Sequence, residues 1–210
     1  MKLVQERFIQ GKAGKLEAIF NPVNTPKFLA VVCHPHPLYQ GTMHNKVVVT
    51  AARALWSQGG AVVRFNFRGV MESEGQHDNG VGEEDDARAA IDFIVGEYPH
   101  SAVPIVLAGF SFGAWIAAKV GATDARVSHL IILGLPLSRF EFSNLPATPK
   151  PKLLLFGDRD QFCPLDKIHP FVETLSPPKT LHVIQDADHF FNGKQHELTA
   201  HMEAWIEKTC

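Results

Sequence analysis

The chain has 210 residues, 45% of them hydrophobic, and a formal net charge of −2. That length suits a single domain, 1–210, with a sizeable core, and the small net charge offers nothing to nucleic acid or to an anionic membrane surface. Three sparse cysteines, Cys33, Cys163 and Cys210, exclude a disulfide framework; with no signal-like or membrane-length apolar run, the expected setting is cytoplasmic.

The chain then alternates. Residues 2–10 and 15–20, separated by GKAG, predict a β-hairpin. FLAVVC at 28–33 is a short, continuous apolar run, the pattern of a strand buried on both faces. Residues 45–58 have helical spacing, with His44-Asn45 at the helix start and Gly59-Gly60 as the stop. AVVRFNF at 61–67 is the next strand, and 83–98 reads as a helix whose first-turn acids suit its dipole. A strand at 104–110 and a helix at 112–120 follow, then strands at 127–134 and 151–157, a helix at 165–175, a strand at 179–185 and a last helix at 195–208. Strands alternating with helices after an opening hairpin predict an α/β protein with a mostly parallel sheet covered on both faces.

In such sheets, sites collect at the carboxyl ends of the strands. Five of those ends carry HPHPLYQGTMHN, RGVMESEG, Ser111, DRDQFCP and DADHFF. A serine, acids and histidines from distant parts of the chain are the parts of nucleophilic acyl transfer. A serine hydroxyl needs an imidazole to take its proton, and the imidazole needs a carboxylate to hold its tautomer. Gly109-Phe110-Ser111-Phe112-Gly113 supplies the turn: the serine projects from a strained tip, and glycines stand where strand and helix pass too closely for side chains. Among Asp158, Asp160 and Asp166, the preferred acid is Asp160, beyond Gly157 at a strand end. Asp166 falls where helix capping is expected. Of eleven histidines, His189 sits in a short loop after the last strand and is the expected base. His182 falls within a strand, His196 and His201 on a solvent-facing stretch of the last helix, and Asp186 and Asp188 read as loop carboxylates.

An oxyanion site needs two backbone N–H donors. Phe112, next to the serine, supplies one. In the loop after FLAVVC, Pro35 and Pro37 have no N–H, which leaves His34, His36 and Leu38, with His36 preferred just beyond the strand. His34-x-His36 has no third ligand at zinc spacing and does not read as a metal site; no metal and no cofactor are expected, and no nucleotide-binding glycine loop follows a strand. Phe110, Phe162 and Phe190 are expected to wall the substrate pocket, with Phe112 and Phe191 close by.

Together these motifs make the sequence resemble the α/β-hydrolase fold superfamily over nearly its whole length, with Ser111, Asp160 and His189 in that superfamily's chain order. The resemblance is nearest to small bacterial hydrolases similar to dienelactone hydrolase, carried by HPHPLYQGTMHNKVV, RFNFRGVMESEG, GFSFG, GDRDQFCP and ADHFF. It implies a three-layer sandwich without a cap domain, since only LPLSRFEFSNLPATPKP separates Gly134 from the next strand. It further implies a serine hydrolase acting on small carboxylic esters, thioesters or lactones. Met71 departs from the pattern, standing where such proteins usually place glycine. The alternative is a non-catalytic module of the same fold, because fold does not fix function.

Overall fold

The computed structural model describes residues 4–140 and 145–210. Its first strands, β1 (Gln5–Gly11) and β2 (Gly14–Asn21), pair antiparallel as the expected hairpin, closing at Gly11 and Gly14. The expected strand residues 2 and 3 lie outside the described residues. FLAVVC forms β3 (Phe28–Cys33) with every residue buried. Helix α1 (Lys46–Ser57) starts where the Asn45 side chain accepts the Val47 N–H at 2.9 Å. It ends at Gly59, whose φ of +91° suits only glycine comfortably. Next come β4 (Gly60–Phe65), α2 (Val81–Glu97), β5 (Ile105–Phe110), α3 (Phe112–Thr123) and β6 (His129–Leu133). The chain closes with β7 (Lys152–Gly157), α4 (Leu165–Thr174), β8 (Lys179–Ile184) and α5 (Gln195–Thr209).

These strands form one eight-stranded sheet in the order β1-β2-β4-β3-β5-β6-β7-β8. The first two pairings are antiparallel and the rest parallel. Successive β3 residues feed opposite faces. Leu29, Val31 and Cys33 belong to the core layer that also holds residues of α2, α3 and α4, whereas Ala30 and Val32 belong to the layer that holds residues of α1 and α5. The doubly covered, mostly parallel sheet is therefore the α/β architecture expected from the alternation of strands and helices. Each fully buried aliphatic or aromatic side chain in these two layers contributes about 1.5–3 kcal/mol of transfer free energy.

The strand order places the site. From β3 the chain crosses first to β4 on one side and later to β5 on the other. The crevice beyond the carboxyl ends of β3 and β5 is thus the switch point of the sheet, where no crossover fills the space. The loop after β3 and the Ser111 turn after β5 meet there.

Candidate active site

Ser111 links β5 to α3 in a backbone conformation of φ +56°, ψ −117°, which an L-residue adopts only under strain. The two flanking glycines explain how the turn closes. A Cβ at Gly109 would lie 2.1 Å from the Gly113 carbonyl oxygen, because helix and strand touch there. A Cβ at Gly113 would lie 2.4 Å from the Cys33 oxygen and 2.5 Å from that of His34. The second glycine therefore serves contact with the end of β3, a neighbour remote in sequence, rather than with the preceding strand. That contact seats the start of α3 against the loop after β3.

Three strand ends converge on the serine hydroxyl. His189, after β8, places Nε2 3.0 Å from Ser111 Oγ. Its Nδ1 lies 2.7 Å from Oδ2 of Asp160, which follows β7. The other carboxylate oxygen, Oδ1, accepts the Phe162 N–H at 2.8 Å. Asp160 and His189 are each 3% exposed, so water does not compete for these bonds. Gly134, at the end of β6, borders the imidazole and has φ +54°, a conformation that favours glycine. Phe162 packs edge-on at 4.7 Å and Phe190 at 5.3 Å between ring centres.

The competing carboxylates are elsewhere. Asp166 lies in the first turn of α4. Asp186 pairs with Arg159, and Asp188 accepts the Asn192 N–H at 2.9 Å. His182 is in β8 as expected, but His201 is half-buried rather than solvent-facing. It stacks on the His182 ring at 4.1 Å because α5 packs along that strand.

The loop after β3 is held by its own histidine. His34 is fully buried, with Nδ1 donating to the Pro35 carbonyl at 2.6 Å and Nε2 accepting the Phe67 N–H at 2.9 Å. With both nitrogens engaged by backbone, the ring offers no lone pair to a metal. Burial pushes its pKa down to about 3, against the opposing bond to Pro35. The native state thus refuses a proton that the unfolded chain accepts near the ordinary imidazole value of about 6.5. Stability from this group is complete above about 6.5 and is lost as pH falls from there toward 3. We expect unfolding free energy from urea titration to fall on acidification, with a slope that shrinks in His34→Gln by up to about 1.4 kcal/mol per pH unit. Parallel slopes for the two proteins would remove this account.

His36 follows, flanked by prolines, so its N–H is the sole backbone donor of residues 35–37. Its carbonyl accepts the N–H groups of Tyr39 and Gly41, both at 3.1 Å, folding the loop into a tight turn. Its ring packs 4.8 Å from Phe112 and 5.1 Å from His77, and burial holds its pKa below the ordinary value, helped by His77. Phe112 opens α3, so its N–H has no acceptor within the helix.

A cavity of about 260 Å³ opens over the serine. Ser111, His189, His36, Phe112, Phe162 and Phe190 line it. Phe110 does not reach it. On β5 its side chain points to the face covered by α1 and α5, where it is fully buried, 5.1 Å from the His189 ring. Phe191 is buried in the same layer. The remaining walls come from residues not anticipated from the sequence. Tyr39, Gln40 and Asn45 stand on the β3 side, and Pro136, Arg139 and Phe140 follow β6. Applying the strand-end rule to β6 as well would have found the last three.

Next to the site, acids of the first turns of α2 do more than meet the helix dipole. Glu83 is fully buried and accepts the N–H groups of Gly80 at 2.7 Å and Asp78 at 3.0 Å. His77 Nδ1 also lies 2.7 Å from its carboxylate. Asp86 holds Arg68 through a buried ion pair at 2.7 Å. These bonds tie α2, which starts two residues earlier than expected, to the loop after β4. Met71 in that loop has φ +49° and is 64% exposed, so the residue standing in for the usual glycine adopts the glycine-like conformation.

Residues 40–209 match a family model described as an alpha/beta hydrolase domain. An uncharacterized protein of Rickettsia prowazekii is 37% identical over 201 residues, covering 91% of this chain and 84% of its own. An alpha-beta serine hydrolase homologue from Coxiella burnetii superposes with a TM-score of 0.88 at 39% identity, covering 98% of this chain and 97% of that one. A serine hydrolase without lid from Xanthomonas campestris gives a TM-score of 0.89 at 34% identity, covering 99% and 95%. Among the described residues, no helix is long and apolar enough to cross a membrane.

Proposed function

This chain belongs to the alpha/beta hydrolase domain family, and on that premise we propose that it is a serine hydrolase cleaving small carboxylic esters or thioesters through an acyl-enzyme. The observation that carries the proposal is the continuous relay from Ser111 Oγ through His189 to Asp160, at 3.0 and 2.7 Å, with Ser111 and His189 lining an open cavity.

The chemistry follows from the donors and acceptors. Asp160 accepts the Nδ1 proton of His189, which leaves the Nε2 lone pair facing the serine hydroxyl. As Ser111 Oγ bonds to the substrate carbonyl carbon, its proton passes to Nε2. The carbonyl oxygen becomes an oxyanion, for which the Phe112 and His36 N–H groups are the donors. The intermediate collapses by breaking the bond to the alcohol or thiol, which takes the proton from Nε2 as it leaves. Water then repeats the sequence on the acyl-enzyme, releasing the acid and restoring the serine. A fluorophosphonate probe tests the reading: an activated Ser111 is expected to be labelled, whereas an unlabelled chain would favour the non-catalytic module.

Substrate size follows from the cavity. It holds about 260 Å³ and is open to solvent, with Phe190 in its lining still 40% exposed. Each buried methylene contributes about 0.8 kcal/mol, or roughly fourfold in kcat/KM, only while it stays inside. On p-nitrophenyl esters from acetate to palmitate, kcat/KM is expected to peak at acyl chains of about two to six carbons. A maximum at about ten carbons or longer would require a deep apolar tunnel instead.

A further inference from the structure

Among the described residues lining the cavity there is one side chain with a fixed charge, Arg139, and no aspartate or glutamate. Among the described residues, Arg68 pairs with Asp86, Arg88 with Glu84, Arg126 with Asp92 and Asp124, and Arg159 with Asp186. Arg139 makes no ion pair among the described residues. Its guanidinium lies instead over the Phe162 ring, 5.4 Å from the centre. An arginine stacked on an aromatic face keeps its outward N–H fork free for a carboxylate or phosphate.

Its position decides which half of the substrate it meets. The proposed oxyanion donors, His36 and Phe112, pack together on one side of Ser111, with their rings 4.8 Å apart. His189 Nε2 lies 3.0 Å from Ser111 Oγ, and Phe162 packs against the His189 ring at 4.7 Å. The leaving alcohol or thiol must lie at His189 Nε2, because that nitrogen returns the proton. Contacts thus lead from His189 to Phe162 and from Phe162 to Arg139 along the wall of the cavity. We infer that Arg139 recognises an anionic group, a carboxylate or phosphate, on the leaving-group half of the substrate. The favoured substrates are then esters or thioesters of negatively charged alcohols or thiols. This rests on the serine-hydrolase reading above.

The test compares p-nitrophenyl butyrate with the same ester bearing a carboxylate on the nitrophenyl ring, in the wild-type protein, Arg139→Gln and Arg139→Lys. The readout is the ratio of kcat/KM for the charged ester to that for the neutral one. The ratio is expected to fall about five- to tenfold in Arg139→Gln, through KM, and to be partly restored in Arg139→Lys. It is also expected to shrink in the wild-type protein as salt is raised. Mono-p-nitrophenyl adipate against p-nitrophenyl hexanoate places the charge on the acyl half instead, and there the ratio is expected to be the same in all three proteins. An unchanged ring-carboxylate ratio, or a loss confined to the adipate, would overturn the assignment while leaving the hydrolase reading intact. A wild-type protein inert on every ester would remove both.

Discussion

Ser111→Ala is expected to lower kcat/KM for p-nitrophenyl acetate by about 10⁵-fold or more and to abolish fluorophosphonate labelling. The loss is that large because the hydroxyl is the atom that forms the new bond, and no other side chain can take its place on the turn. The fold is expected to survive. Alanine keeps the Cβ, so the strained φ of +56° costs no more than it does for serine. The change removes one hydrogen bond to His189, worth about 1 kcal/mol. A thermal melt within a few degrees of the wild-type protein, together with lost turnover, would separate chemistry from stability. Full activity in this variant would sink the serine mechanism.

Asp160→Asn is expected to lower kcat by about 10⁴-fold with little change in structure. The reason lies in what the two carboxylate oxygens accept. Oδ1 takes the Phe162 N–H at 2.8 Å and Oδ2 takes the His189 Nδ1 proton at 2.7 Å. An asparagine has one oxygen for these two donors. With its oxygen toward Phe162, its NH₂ faces Nδ1, and the imidazole must move its proton to Nε2 to accept that bond. Nε2 then points a proton at Ser111 Oγ and cannot receive one. With the amide turned over, the NH₂ opposes the Phe162 N–H, and the turn after β7 loses its anchor. Turnover within tenfold of the wild-type rate would show that His189 does not depend on this carboxylate for its tautomer.

Much of this molecule is legible without coordinates because its signals are local. β5, Ser111 and α3 follow from an apolar run, a glycine-flanked serine and a helix-forming segment, all within residues 104–123. Asp160 and His189 are legible one step further, since each follows a recognisable strand and parallel sheets gather those ends on one edge. Nearness in sequence to a catalytic residue misleads at Phe110. It precedes the serine by one residue, yet strand alternation turns its side chain into the layer under α1 and α5. The strand-end rule stopped short at Arg139 and Phe140, which follow β6 and carry no motif to draw attention to them.

By itself the sequence determined the layered α/β class, the order of strands and helices, and the three residues that could form a relay. These depend on periodicity, turn chemistry and chain order, which are properties of neighbouring residues. The tertiary structure decided how those residues meet. It set Gly113 against the carbonyl groups that end β3, engaged both nitrogens of His34 with backbone, buried Asp86 against Arg68, stacked His201 on His182, and brought Arg139 to the cavity wall over the Phe162 ring. Apart from the His34–Pro35 bond, each of these is a contact between residues 18 or more positions apart in the chain. Its geometry depends on how helices seat on a twisted sheet, which no local pattern encodes.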